Sequence, residues 1–319
     1  MTMQAMVYSA PLTLELADIE EPVAAEGEVL VEVEAVGICG SELEGVKTRS
    51  PFRVPPLIMG HEFAGRRVDT GERVAVNPLI ACGSCDLCLR GARNICRNRR
   101  LIGIQQSGAF ADLVAVPADR CIPLPDGMTA EHGALTEPVA NAVHAWRLAL
   151  SQDPGPTRVG VIGAGTLGLV TALVALQSGM VDVEIADLSE VRLAFARDAG
   201  VPTTRQGLEG EYDVIFDAVG TAGTRATSVE LLRPGGTAIW IGLHEPDAGL
   251  DSQAFIRSEK RVLATFTYLE RDFSAALDVI ASLGPTPWIR SIPLSAGVET
   301  FESLMAGDDS ATKTLLVPR

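Results

Sequence analysis

Between residues 28 and 36, Val29, Val31 and Val33 alternate with Glu28, Glu32 and Glu34. A period of two belongs to a strand with one face in a core and the other in water. Shorter runs of the same kind occur at residues 73–76, 110–116 and 120–123, separated by turns rich in Gly, Pro and Asp. Short strands and turns are therefore predicted for the first part of the chain. After about Met128 the grain changes. Strand-like apolar runs at 159–162, 183–186, 213–216, 237–241 and 262–266 now alternate with helical patterns at 167–177, 190–199 and 224–232. That alternation predicts βαβ units and a parallel sheet.

The first turn of the second part reads G-x-G-x-x-G, with Gly163, Gly165 and Gly168 placed directly after an apolar strand and before a helix. The first glycine allows a tight turn and the second lets backbone approach a pyrophosphate. The third lets the helix pack close to the sheet while its N-terminus faces the phosphate charge. Asp187 ends the next strand, at the distance of a carboxylate that accepts from both ribose hydroxyls and repels a 2'-phosphate. NAD is predicted over NADP, with Thr166, Leu167 and Arg192 as further cofactor contacts. The competing role for Asp187 is a helix N-cap.

Cys82, Cys85, Cys88 and Cys96 fall in one polar loop, two residues between each of the first three and seven before the last. Four thiolates at this spacing complete a closed tetrahedron around a structural zinc. Gly83, Ser84, Asp86, Arg90, Gly91, Arg93 and Asn94 make a poor apolar core, so a metal organises what packing cannot. A redox dithiol or disulfides are the alternatives.

Composition narrows the class. A chain of 319 residues, 47% hydrophobic and 21% charged, can bury a sizeable core and suits two domains. Its formal charge of -15 argues against a nucleic-acid partner. The basic cluster Arg90, Arg93, Arg97, Arg99 and Arg100 reads as a solvated flank of the cysteine loop. Residues 1–10 do not read as a secretory leader, and no apolar run has the length of a membrane span, so a cytoplasmic protein without a membrane partner is expected.

The chain resembles the medium-chain dehydrogenase/reductase family, in its zinc-dependent alcohol and polyol (sorbitol-dehydrogenase-like) branch. The resemblance rests on Gly37-Ile38-Cys39-Gly40-Ser41-Glu42, Gly60-His61-Glu62-Phe63-Ala64-Gly65, the four-cysteine loop, Gly108-Ala109-Phe110-Ala111, Glu137-Pro138 and the glycine fingerprint with Asp187-Leu188-Ser189. It implies an α/β protein in which a Rossmann domain with a doubly wound parallel sheet is inserted in a GroES-like, mostly-β catalytic domain. The expected division is 1–139 for the catalytic domain, 140–266 for the NAD-binding domain and 267–319 for a segment returning to the first.

It also implies a second, catalytic zinc. Cys39 supplies a thiolate, His61 an imidazole, and Glu62 or Glu137 a carboxylate, three protein ligands that leave one position open. Ser41 is expected to pass the substrate proton outward, or else to stabilise a turn. Two departures from the family are Glu42, where most relatives have Asp, and Thr267, where sorbitol-type members carry an arginine. The resemblance further implies a homodimer or homotetramer paired through the edge strand at 262–266. The expected reaction is reversible oxidation of a secondary alcohol or polyol by NAD. The alternatives are an NADH-dependent carbonyl reductase or a cyclitol or aminocyclitol dehydrogenase, and, from another class, a non-enzymatic zinc- and nucleotide-binding protein.

Overall fold

The computed structural model describes residues 1–153, 155–247 and 250–318. Strand Glu28–Gly37 lies at the heart of a seven-stranded sheet. Val31 and Val33 are buried and Glu32 is exposed, as the alternation requires. On one side it pairs with Glu62–Arg67, which leads to Arg73–Val76 and Cys121–Pro123. On the other side it pairs with Lys313–Val317, itself parallel to Ile289–Pro293. The end of the chain thus returns to the sheet in which the chain began.

The run at 110–116 forms a strand only from Leu113 to Pro117, also paired with Glu28–Gly37. Phe110 is buried ahead of it. Its amide donates to Met59 O at 2.9 Å and its carbonyl accepts from Met6 N at 2.7 Å, which ties it to other segments. A hairpin of Thr2–Ala10 and Thr13–Glu20, joined by Leu57–Ile58, covers this region as a separate three-stranded sheet.

The second sheet has six parallel strands in the order Thr203–Arg205, Asp182–Ala186, Arg158–Ile162, Tyr212–Asp217, Leu232–Trp240, Arg261–Ala264. Numbered by sequence within the sheet this order is 3-2-1-4-5-6. It reverses between Arg158–Ile162 and Tyr212–Asp217, and ligands of open α/β sheets bind at such a switch point. Helix Thr166–Gln177 is apolar on nearly every side because it is buried between that sheet and helix Thr136–Gln152. Helix Glu270–Ala281 packs on Thr136–Gln152, where the buried Asp272 carboxylate accepts from His144 Nδ1 at 2.8 Å. Residues 267–319 therefore contribute to both cores.

Candidate active site and cofactor cleft

Cys39 is the N-cap of helix Gly40–Lys47, and His61 directly precedes strand Glu62–Arg67, which Glu62 opens. This brings the Cys39 thiol, a His61 ring nitrogen and a Glu62 carboxylate oxygen all within 4.8 Å of one another. Glu42, in the first turn of that helix, organises the set. One oxygen accepts from Gly60 N and faces His61 Nδ1, both at 2.9 Å, and the other accepts from Cys39 N at 3.0 Å. With Nδ1 committed to Glu42, the second ring nitrogen is left for a metal. The longer side chain at 42 thus still supplies an orienting carboxylate.

Burial disfavours the imidazolium, but the Glu42 charge and the hydrogen bonds the ring donates to Cys39 and Glu42 outweigh it and raise the His61 pKa. A thiolate, a carboxylate-oriented imidazole and a second carboxylate at one point fit a zinc with an open position.

Sequence reasoning missed Lys313. Its ammonium pairs with the Glu62 carboxylate and donates to Ile38 O at 2.9 Å, and it is 2% exposed. Burial alone would lower its pKa, but the Glu62 charge raises it. Gly37 leaves room for this pair, because a Cβ there would displace the Glu62 carboxylate and the end of the Lys313 side chain. The one signal in the sequence was a lysine opening the apolar run Lys313–Val317.

Glu137, in the first turn of helix Thr136–Gln152, stands outside the set of three donors. It is buried and accepts from Asn141 Nδ2 at 3.1 Å, and burial pushes its pKa up to about 7. Ser41 Oγ lies 3.3 Å from Cys39 Sγ and accepts from Arg53 Nη2 at 3.0 Å. A guanidinium has only donors, so Arg53 cannot receive a proton from Ser41.

Cys82, Cys85, Cys88 and Cys96 also converge within 4.8 Å, as free thiols. Backbone N–H groups of Ser84 and Cys85 pull the Cys82 pKa down to about 5, whereas burial pushes Cys88 up to about 12. Four sulfurs at one point fit a structural zinc. The lobe also grips the segment that follows the last strand of the parallel sheet. Asn94 Nδ2 donates to Phe266 O at 3.0 Å, and the Arg99 guanidinium lies 4.6 Å from the centre of the Phe266 ring. Thr267, the residue in place of the family arginine, follows with a φ of 48°.

At the switch point, Gly163 has a φ of 96°, and a Cβ on Gly168 would run into the Gly163 carbonyl. No atom would meet a Cβ on Gly165, so its backbone faces open space at the head of helix Thr166–Gln177, as a bound pyrophosphate requires. Leu167 lies in the first turn of this helix, and Thr166 Oγ1 donates to Thr312 O at 2.7 Å, next to Lys313. Asp187 accepts from Ala164 N at 2.7 Å and from Ser189 N at 2.8 Å. Ser189, not Asp187, caps the following helix by accepting from Arg192 N at 3.3 Å. The Arg192 guanidinium stands 3.9 Å from the Asp187 carboxylate.

Residues 25–126 match the alcohol dehydrogenase GroES-like domain family, and residues 166–282 match the zinc-binding dehydrogenase family. The chain is 33% identical to L-idonate 5-dehydrogenase of Vitis vinifera over 80% of its own length and 78% of that protein. It is 32% identical to D-altritol 5-dehydrogenase of Agrobacterium fabrum over 83% and 84%. A Sinorhizobium meliloti 1021 structure bound to NADP superposes with a TM-score of 0.91 at 27% identity, covering 100% of both chains. The chain belongs to the zinc-dependent medium-chain dehydrogenase/reductase family, in its alcohol and polyol dehydrogenase branch. It is an oxidoreductase with a GroES-like part and a Rossmann-type part. Among the described residues, no helix is long and apolar enough to cross a membrane.

Proposed function

We propose that the chain transfers a hydride reversibly between NAD and a secondary alcohol or polyol, giving a ketone, with one catalytic and one structural zinc. The observation that carries this reading is the convergence of Cys39, His61 and Glu62, with His61 oriented by Glu42. Zinc at this set would act as Lewis acid on the alcohol oxygen, and NAD would accept the hydride. Cys39, His61 and Glu62 hold the metal, while Lys313 neutralises and restrains Glu62. Ser41, fixed by Arg53, faces the substrate oxygen with its hydroxyl, and Glu137 holds or releases a proton beside the metal set near neutral pH.

Gly163, Gly165, Thr166, Leu167 and Gly168 cradle the pyrophosphate, with Asp187 and Arg192 at the adenosine ribose. The anchored Asp187 carboxylate favours NAD over NADP by repelling a 2'-phosphate. Cys82, Cys85, Cys88 and Cys96 hold the second zinc as a staple for the lobe.

The chain divides at 139 and 266, which agrees with the return of Ile289–Pro293 and Lys313–Val317 to the first sheet. A dimer or tetramer paired along the edge strand Arg261–Ala264, in the cytoplasm, completes the reading.

The test is metal content per chain on purified protein, paired with an NAD-linked absorbance screen over secondary alcohols, polyols and cyclitols. Two zinc ions with reduction of NAD are expected. One zinc with no turnover would overturn the dehydrogenase reading. Cys39→Ser should abolish turnover while NADH binding persists, and loss of both would mark misfolding.

A further inference from the structure

Arg53 belongs to neither metal set nor to the cofactor fingerprint, yet it stands at the rim of the first metal set. It is 7% exposed. Its Nη2 donates to Ser41 Oγ at 3.0 Å, and that oxygen is 3.3 Å from Cys39 Sγ. The guanidinium is thus two hydrogen bonds from a proposed metal ligand, on the side where Ser41 is exposed.

Burying a guanidinium is costly unless its donors are met. Arg53 Nε is buried with no hydrogen-bond partner. Among the described residues, Arg53 forms no ion pair with a carboxylate. Its charge acts on Glu42, but the Glu42 oxygens are engaged by Cys39, Gly60 and His61. An acceptor carrying negative charge is the missing partner, and a planar fork of donors suits a carboxylate or a phosphate.

Resting on the function proposed above, we infer that Arg53 binds an acidic group of the substrate. The alcohol taken by this enzyme then carries a carboxylate or phosphate on the same carbon chain as its carbinol group. Ser41 stands between the two ends, touching Arg53 on one side and the metal set on the other.

The test is isothermal titration of the zinc-loaded enzyme, with NADH present, using three probes of one six-carbon skeleton: sorbitol, gluconate and sorbitol 6-phosphate. Gluconate or the phosphate should bind at least about tenfold tighter than sorbitol. The tighter of the two identifies carboxylate or phosphate as the group recognised. Arg53→Gln should bring the ratio to about one, and Arg53→Lys should keep part of it. Zinc content and NADH binding check that each variant is folded, and the wild-type ratio stands without them. Equal or weaker binding of both anions, no detectable anion binding, or a preference that survives in Arg53→Gln would overturn the inference. Loss of the second zinc or of NADH binding in the wild type would instead defeat the dehydrogenase reading itself.

Discussion

The Lys313 ammonium lies against the Glu62 carboxylate with both side chains almost fully buried, joining the last strand of the chain to a proposed metal ligand. Removing one partner strands the other as an unpaired charge. Lys313→Met should destabilise the protein by about 3–5 kcal/mol in chemical denaturation. Adding Glu62→Gln should recover much of that loss, since the buried charge is gone. Additive losses in the double mutant would contradict the pairing.

Cys88 is the buried corner of the four-cysteine lobe. Cys88→Ser should remove one zinc per chain and lower Tm by roughly 3–5 °C, the effect of about 2–3 kcal/mol in a chain of this size. Metal analysis and calorimetry read both. Full zinc content at an unchanged Tm would remove the staple role.

Asp187, proposed to bind the adenosine ribose, is fixed by the Ala164 and Ser189 amides beside the glycine turn. Asp187→Ala should lower the NAD-to-NADP ratio of kcat/KM by about tenfold or more, because the ribose acceptor and its charge are both lost. Steady-state kinetics with the two cofactors decide it. An unchanged ratio would place cofactor choice elsewhere.

Asp272 joins two helices of the larger core. Burial would raise its pKa, but hydrogen bonds from His144 and Leu269 N, with the His144 and Arg147 charges, hold it below the ordinary value. A depressed folded pKa gives stability that is present above the unfolded pKa and lost as pH falls through the folded one. Asp272→Asn should cost about 2 kcal/mol at neutral pH. The gap from wild type should close below about pH 4. Urea titrations across that range test the sign.

Much of the site was legible because its parts are local. Cys39, Ser41 and Glu42 share one helix start, His61 and Glu62 are adjacent, and the glycine fingerprint completes its turn within six residues. The parallel-sheet runs were legible for a similar reason, since strands buried on both faces are apolar along their whole length. Phe110 carries a strand-like pattern because burial, not pairing within a strand, decides its apolar character.

By itself the sequence determined most of the strands and helices, the cysteines that converge between residues 82 and 96, the placing of Cys39 and His61 with one of two carboxylates, and the glycine turn, all written in short-range spacing and periodicity. Only the tertiary structure decided the partners drawn from distant segments. Lys313 reaches Glu62 because Lys313–Val317 pairs with Glu28–Gly37, and Arg53 reaches Ser41 because the chain folds back over its helix. It also showed that Ser189 caps the helix, which leaves the Asp187 carboxylate to accept from Ala164 N in the glycine turn. Such pairs are set by strand pairing and packing between residues far apart in sequence, and no local pattern of hydrophobic and polar positions carries that information.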